Sequence, residues 1–135
     1  VNGFEVAQTP VPGGDSAHGH GLTNVTIDGE QIDFSQSQYQ QEARAFHFEG
    51  GNGRMWHKHA NSVSLEYAMA TLGIGVTEDT VTFDGTTYRD SDPGTNVTVT
   101  IDGEPVNPAT HELSGAGESN PQDGDFIKIV VKTDG

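Results

Sequence analysis

Cysteine is absent from this chain of 135 residues, and basic residues are scarce, with 6 Lys and Arg against 20 Asp and Glu. The missing thiols exclude a disulfide framework and a thiolate metal site. The net charge of −14 argues against binding to nucleic acid or to an anionic membrane, because phosphate requires the opposite sign. No apolar run approaches the ~18 residues of a membrane-spanning helix. We therefore predict no nucleic-acid partner and no spanning segment, while an upstream lipid anchor and a homo-oligomer stay open.

The acidic residues are spread along the whole chain instead of forming a tail. Such a surface repels itself at low salt, but at 1 M salt the screening length falls to about 3 Å and removes most of that repulsion. The pattern therefore predicts a salt-adapted, halophilic protein.

The N-terminal segment 1–16 contains two Pro and a Gly-Gly pair, and the chain does not begin with Met. These features predict a flexible tether left after an export or lipoprotein signal, followed by a single β-rich domain over residues 17–135. Sequons at Asn24 and Asn96 are compatible with export, although they leave glycosylation itself open. We expect an extracellular or cell-surface-anchored protein.

Short β-prone runs that end in Asp-Gly recur along the chain. Residues 25–30 and 99–104 both read Val-Thr-Ile-Asp-Gly-Glu, and residues 81–86 are a looser copy. Asp-Gly adopts positive φ at low cost, so each copy predicts a tight hairpin, with strands over 22–27 and 31–34, 80–83 and 86–88, and 96–101 and 104–106. A final strand is predicted over 126–131.

One segment has helical spacing, with an apolar stripe of Leu65, Ala68, Met69 and Leu72. It predicts a helix over 62–72, capped by Asn61, Ser62 or Ser64 and ended by a Gly. Hairpins plus one helix packed on a sheet predict an α+β fold, mostly antiparallel and β-grasp-like. A β-sandwich or a cupin-like barrel is the alternative.

Side chains that can act as ligands are concentrated in residues 46–60. The Gly-Gly-Asn-Gly run at 50–53 predicts a turn between strands over 42–49 and 54–60. Because side chains alternate between the two faces of a strand, Met55, His57 and His59 share one face, opposite Trp56. The first strand is expected to place His47 and Glu49 opposite Phe46 and Phe48 in the same way.

Two His-x-His pairs and a further strand histidine predict a metal site, because i, i+2 positions on a strand point two imidazoles the same way. Imidazole suits both zinc and copper, and a soft thioether favours copper. We therefore predict a copper or zinc ion as the cofactor. The candidate ligands are His57, His59, His18, His20, His47 and Met55, whereas His111 is expected to be structural or exposed.

The order of these motifs resembles a family of uncharacterised exported proteins of haloarchaea and some bacteria that carry paired His-x-His motifs. The shared features are His-x-His at 18–20, the two Val-Thr-Ile-Asp-Gly-Glu runs, His-Lys-His-Ala at 57–60 and Gly-Asp-Phe-Ile at 124–127. The resemblance covers about residues 17–132. Ala60 stands where the family has Asp, and a further His expected around residues 62–65 is missing. The resemblance implies a metal site and no particular activity.

The resulting hypothesis is an exported, salt-adapted domain that stores, delivers or senses copper or zinc. A structural or adhesive module with incidental histidines is the alternative from another class. A cupin-type metalloenzyme is a weaker alternative, because Gly51-x5-His57-x-His59 begins that motif but the next acid, Glu66, lies too far along the chain. The sequence thus leans away from an enzyme, and it does not separate transport, sensing and scaffolding.

Overall fold

A computed structural model describes residues 1–13 and 17–134 of the chain. Two short 3-10 turns, at Ser37–Tyr39 and Pro121–Asp123, interrupt the loops. The helix and strands are β1 Val11–Pro12, β2 His18–Ile27, β3 Glu30–Gln31, β4 Phe46–His47, β5 Met55–Asn61, α1 Leu65–Thr71, β6 Gly75–Val76, β7 Thr80–Phe83, β8 Thr86–Arg89, β9 Thr95–Ile101, β10 Glu104–Pro105 and β11 Phe126–Thr133.

The larger sheet has the strand order β1-β5-β2-β11-β9-β10, with β3 added to β2 and β4 added to β5. A smaller sheet contains β6, β7 and β8 in that order. The β2–β11 pair is parallel, and the other pairs in both sheets are antiparallel. The prediction of a β-rich α+β protein is therefore confirmed, with open mixed sheets. The narrower β-grasp, sandwich or barrel assignment stays a prediction.

All three Asp-Gly hairpins are present, as β2–β3, β7–β8 and β9–β10. In the first, φ is 52° at Asp28 and 83° at Gly29, and both values are positive as a tight hairpin turn requires. The strand predicted over 31–34 is wrong beyond Gln31, because the chain turns inward there and buries Phe34. Strand β10 ends at Pro105, one residue short of the predicted range 104–106, although the Val106 N–H still donates to the Val99 carbonyl at 3.3 Å.

Helix α1 is shorter than the predicted range 62–72. Strand β5 continues to Asn61, and Ser62 has a φ of 57°, which is outside helical geometry. Ser64 is the N-cap, with its Oγ accepting a hydrogen bond of 3.0 Å from the Tyr67 N–H. Gly73, at a φ of 80°, follows the helix. The predicted apolar stripe is confirmed, since each of its four residues is buried.

The core lies between the sheets and α1 and is richest in aromatic rings near β4 and β5. Trp56 and Phe46 are both 0% exposed, with ring centroids 5.9 Å apart. The Trp56 indole N–H donates to the Asp125 carbonyl at 3.0 Å, so this large side chain is buried without an unpaired polar atom. The core therefore holds β5 from one side and leaves its other face for different chemistry.

The segment predicted as a tether makes specific contacts along residues 1–12. The Asn2 side-chain amide donates to the Ala70 carbonyl at 2.8 Å, and the Ala7 N–H donates to Glu66 Oε1 at 2.7 Å. Strand β1 then pairs with the end of β5. Residues 14–16 of the predicted tether and Gly135 of the predicted domain lie outside the described residues. Within the described part of the chain, no helix combines the length and apolarity needed to cross a membrane.

Candidate metal site

Three adjacent strands carry five histidines in register. His18 pairs with His59 and His20 pairs with His57 across the β2–β5 ladder, while His47 pairs with His57 on the other edge of β5. Directly paired residues point to the same face of a sheet, and residues two apart on a strand do so too. The five imidazoles therefore share one face, as the alternation along residues 46–60 predicts.

Only part of the predicted central hairpin forms. Strand β4 is limited to Phe46–His47 instead of 42–49, and β5 begins at Met55 instead of residue 54. The Asn52 Oδ1 accepts hydrogen bonds from the backbone N–H groups of Arg54 and Met55, so the Gly-Asn turn is closed by its own side chain. This turn still returns the chain so that His47 faces His57.

The five imidazole rings form a closed circuit of contacts. Their centroids lie 4.8 Å apart for His18 and His20, 4.6 Å for His20 and His57, 5.5 Å for His57 and His47, 5.0 Å for His47 and His59, and 4.3 Å for His59 and His18. A carboxylate, Glu49, adjoins this circuit at His47 and His57. We call these five histidines with Glu49 the histidine cluster.

The cluster contains two sets of residues that can hold a metal ion. His47, Glu49, His57 and His59 form one set, and His18, His20 and His57 form the other. Within each set, one ligand atom per residue lies within 4.8 Å of every other. Nitrogen and oxygen ligands of zinc lie about 2.0–2.2 Å from the ion, so the side chains of each set would move closer together to hold one.

Backbone carbonyls orient two of the rings. His20 Nδ1 lies 3.0 Å from the Ala116 carbonyl, and His47 Nδ1 lies 3.1 Å from the Ala43 carbonyl. An N–H at Nδ1 in each ring leaves the Nε2 lone pair for another partner, which is how metal-ligating histidines are commonly held. Nε2 of His47 faces a second acceptor, Glu49 Oε1, at 2.8 Å. One neutral imidazole N–H cannot donate to both acceptors at once.

His57 is the most enclosed member of the cluster, at 4% exposure. Its Nε2 is buried without a hydrogen-bond partner among the described residues, and its Nδ1 is 3.7 Å from Glu49 Oε1, which is too far for a hydrogen bond. Leaving a buried polar atom unpaired costs about 1–3 kcal/mol. The sequence therefore retains a costly, unpaired imidazole at the centre of the cluster.

Burial controls the protonation of the inner rings. Desolvation lowers the pKa of His57, and the nearby Glu49 carboxylate only partly opposes this effect. Desolvation also lowers the pKa of His59, assisted by its neighbour His18. The hydrogen bond from His47 lowers the pKa of Glu49. Neutral imidazoles and an ionised carboxylate are the forms that bind metal.

Glycines on β2 allow the histidines to reach this face. The strand begins His18-Gly-His-Gly21, so small residues occupy the face opposite the imidazoles. A Cβ on Gly21 would collide with the Trp56 ring and the Asp125 carbonyl. Ala116 then exchanges two backbone hydrogen bonds with His20, at 2.9 and 2.8 Å, and closes the free edge of β2. The absence of side chains at these positions thus lets the core pack tightly beneath the cluster.

The cluster can be reached from one side. A surface pocket lined by Pro10, Arg44 and Tyr67 opens onto His47 and His59. Of the β2 histidines, His18 is exposed, whereas His20 is 5% exposed. An ion could therefore arrive at the outer rings before it reaches the enclosed His57.

The structure brings together His18, His20, His47, His57 and His59 from the predicted ligand list. Met55 pairs with Leu22 and lies two residues before His57 on the same strand face. Glu49 belongs to a potential metal set but was not among the predicted ligands, although strand alternation already placed it beside His47. Glu118 was missed entirely, because only the folded loop brings its charge near enough to act on His57.

Two further residues considered in the sequence, the histidine expected to be structural or exposed and the acid too distant for a cupin motif, have other partners. His111 Nε2 lies 2.8 Å from Asp125 Oδ2, which also accepts from the Ser114 N–H, so His111 orders the loop beside Trp56. Glu66, the acid considered for a cupin motif, is in α1 and accepts from the Ala7 N–H. Neither residue belongs to the two potential metal sets found among the described residues.

Comparisons with protein families, curated proteins and solved structures found no match to this chain. The chemistry of the histidine cluster is therefore the feature of this chain that bears on its function.

Proposed function

We propose that this protein is a copper- or zinc-binding domain that stores, delivers or senses the ion outside the cell or at its surface. The observation that carries the proposal is the buried, unpartnered Nε2 of His57, the one imidazole among the five that both potential metal sets share. Membership of the exported His-x-His family and adaptation to high salt belong to the same proposal. They are supported by the motif order and by the net charge of −14.

The donor set favours a borderline or soft cation over a hard one. Imidazole is the main donor, with one carboxylate, and such ligands suit zinc and copper, whereas magnesium and calcium prefer oxygen ligands. Met55 on the same face would add a soft donor and favour copper if its thioether turns toward His57. The acidic surface also raises the local concentration of any cation.

Titration of purified protein with Zn(II) and Cu(II), with elemental analysis of the loaded protein, tests this function. We expect binding tighter than ~10 μM and metal-dependent stabilisation, since an ion that binds only the folded chain adds RT ln(1 + [L]/Kd). His57→Ala combined with His59→Ala should remove both effects. His111→Gln is the matched control, because His111 lies outside the cluster and should leave metal affinity unchanged.

The rival hypothesis of a structural or adhesive module predicts that metal has no effect on the protein. If the histidines are incidental, a chelator changes neither the melting temperature nor the association state. Absence of binding to either metal at ~10 μM, or equal affinity in the double variant and the His111 control, would refute metal binding as the function.

A further inference from the structure

The two potential metal sets share a single residue, His57. The first set places His47, Glu49 and His59 around it, and the second places His18 and His20 around it. The strand order explains this division, because β4 lies on one edge of β5 and β2 on the other. His57 is thus the central imidazole in a row that runs from His47 to His20.

The two ring nitrogens of His57 are both free of hydrogen bonds within the described residues. Nδ1 is the nitrogen nearest the first set, at 3.7 Å from Glu49 Oε1. Nε2 is buried and has no partner. By contrast, Nδ1 of His20 contacts the Ala116 carbonyl, and His47 has both ring nitrogens engaged, Nδ1 with the Ala43 carbonyl and Nε2 with Glu49. His57, the ring that both sets share, can therefore offer a different nitrogen to each set.

Negative side chains near His57 can offset the repulsion between two bound cations. Glu49 contributes a carboxylate within the cluster, and Glu118 acts electrostatically on His57 from the loop beyond β10. Basic side chains are few, with 6 Lys and Arg in the whole chain. Two divalent ions near each other repel, and negative groups around them reduce that cost.

Extending the proposed metal-binding function, on which this inference rests, we propose that the cluster binds two divalent cations bridged by the imidazole of His57. One ion is held by the His47, Glu49 and His59 side, and the other by the His18 and His20 side. A neutral imidazole has one lone pair and one N–H. When the second ion binds, His57 therefore releases its N–H proton to solvent and each nitrogen donates to one ion.

Copper(II) titration of the full chain tests the bridge, with bound metal counted and the EPR signal integrated at low temperature. We expect the wild-type protein to bind two equivalents of copper. Most of the EPR signal of isolated Cu(II) should disappear as the second ion binds, because two copper ions joined by an imidazolate couple their spins. A single bound equivalent would overturn the bridge and leave the proposed function intact. No binding at all would overturn both.

Half-site variants give the matched comparison while retaining His57. His18→Ala with His20→Ala, and separately His47→Ala with Glu49→Gln, should each bind one equivalent with full signal intensity per copper. The His111→Gln variant should keep two equivalents and the signal loss. Two equivalents with undiminished intensity in the wild-type protein would show independent sites and refute the shared imidazole. Urea midpoints of the metal-free variants identify any that fail to fold.

Discussion

At the residue scale, Trp56 and His59 lie on the same strand but face different surroundings. Trp56 is fully buried and hydrogen-bonded, so Trp56→Ala should cost about 3–5 kcal/mol of unfolding free energy, and Trp56→Phe much less. His59→Ala removes little core volume and should leave metal-free stability almost unchanged while abolishing most stabilisation by metal. Urea unfolding of each variant with and without Zn(II) provides the measurement. If Trp56→Ala did not change the urea midpoint while His59→Ala unfolded the metal-free protein, His59 would be the core residue and Trp56 the surface residue.

The inner histidines also predict how metal-free stability depends on pH. Burial lowers the pKa of His57 and His59 below the ordinary 6.5, so the unfolded chain takes up protons at a higher pH than the folded chain. Stability should therefore be complete above about pH 6.5 and decline as the pH falls below it. The lowered pKa of Glu49, ordinarily 4.5, acts in a separate, more acidic range.

Urea midpoints of metal-free protein measured between about pH 8 and pH 5 would reveal this decline. His57→Gln should flatten it, because the titrating group is removed. The His111→Gln protein serves as the comparison. A midpoint that stays constant or rises on acidification would show that burial does not hold these imidazoles neutral.

At the element scale, the His-Gly-His-Gly start of β2 couples the core to the cluster. Gly21→Ala would push a methyl group into the Trp56 ring and the Asp125 carbonyl, so it should cost about 1–3 kcal/mol. Gly117→Ala is the matched control, since a Cβ there meets nothing within 4 Å, and its effect should stay within about 0.5 kcal/mol. Thermal or urea unfolding of the two variants measures the difference. Equal stabilities would contradict the close packing of Gly21 against the Trp56 ring.

The cap of α1 is a second prediction at this scale. Ser64 is buried, and its Oγ accepts from the Tyr67 N–H at 3.0 Å. Ser64→Ala should therefore destabilise the protein by about 0.5–2 kcal/mol, whereas the exposed Ser119→Ala should have almost no effect. Denaturant melts would contradict the cap if both serines proved equally dispensable.

At the scale of the whole molecule, we expect the net charge of −14 to make stability depend on salt. Self-repulsion between carboxylates should weaken the fold at low salt, and the screening length falls from about 10 Å at 0.1 M to about 3 Å at 1 M. We expect urea midpoints to rise with KCl over this range. Replacing the exposed Glu42, Glu78 and Glu104 with Gln should reduce the rise. Midpoints that do not change with salt would refute salt adaptation.

The sequence by itself determined the features that depend on a few neighbouring residues. Asp28-Gly29 specifies its hairpin because both residues accept positive φ, and Ser64 caps α1 through a hydrogen bond three residues away. Strand periodicity separated His57 and His59 from Trp56, since alternation is a property of any extended chain. Where local signals competed, prediction failed, as at Ser62, whose positive φ delays the predicted helix.

Only the tertiary structure decided which remote segments become neighbours. The parallel pairing of β2 with β11 joins the two ends of the chain, and the β2–β5 register places His20 opposite His57. These pairings depend on how the whole core packs, so no local pattern contains them. Lys58 is another residue whose surroundings no local pattern predicts. Strand alternation places it on the Trp56 face, but its burial relies on Nζ donating to the Ala17 carbonyl at 2.9 Å. The sequence supplied the imidazoles on each strand, and long-range strand pairing brought them together on one face of the sheet.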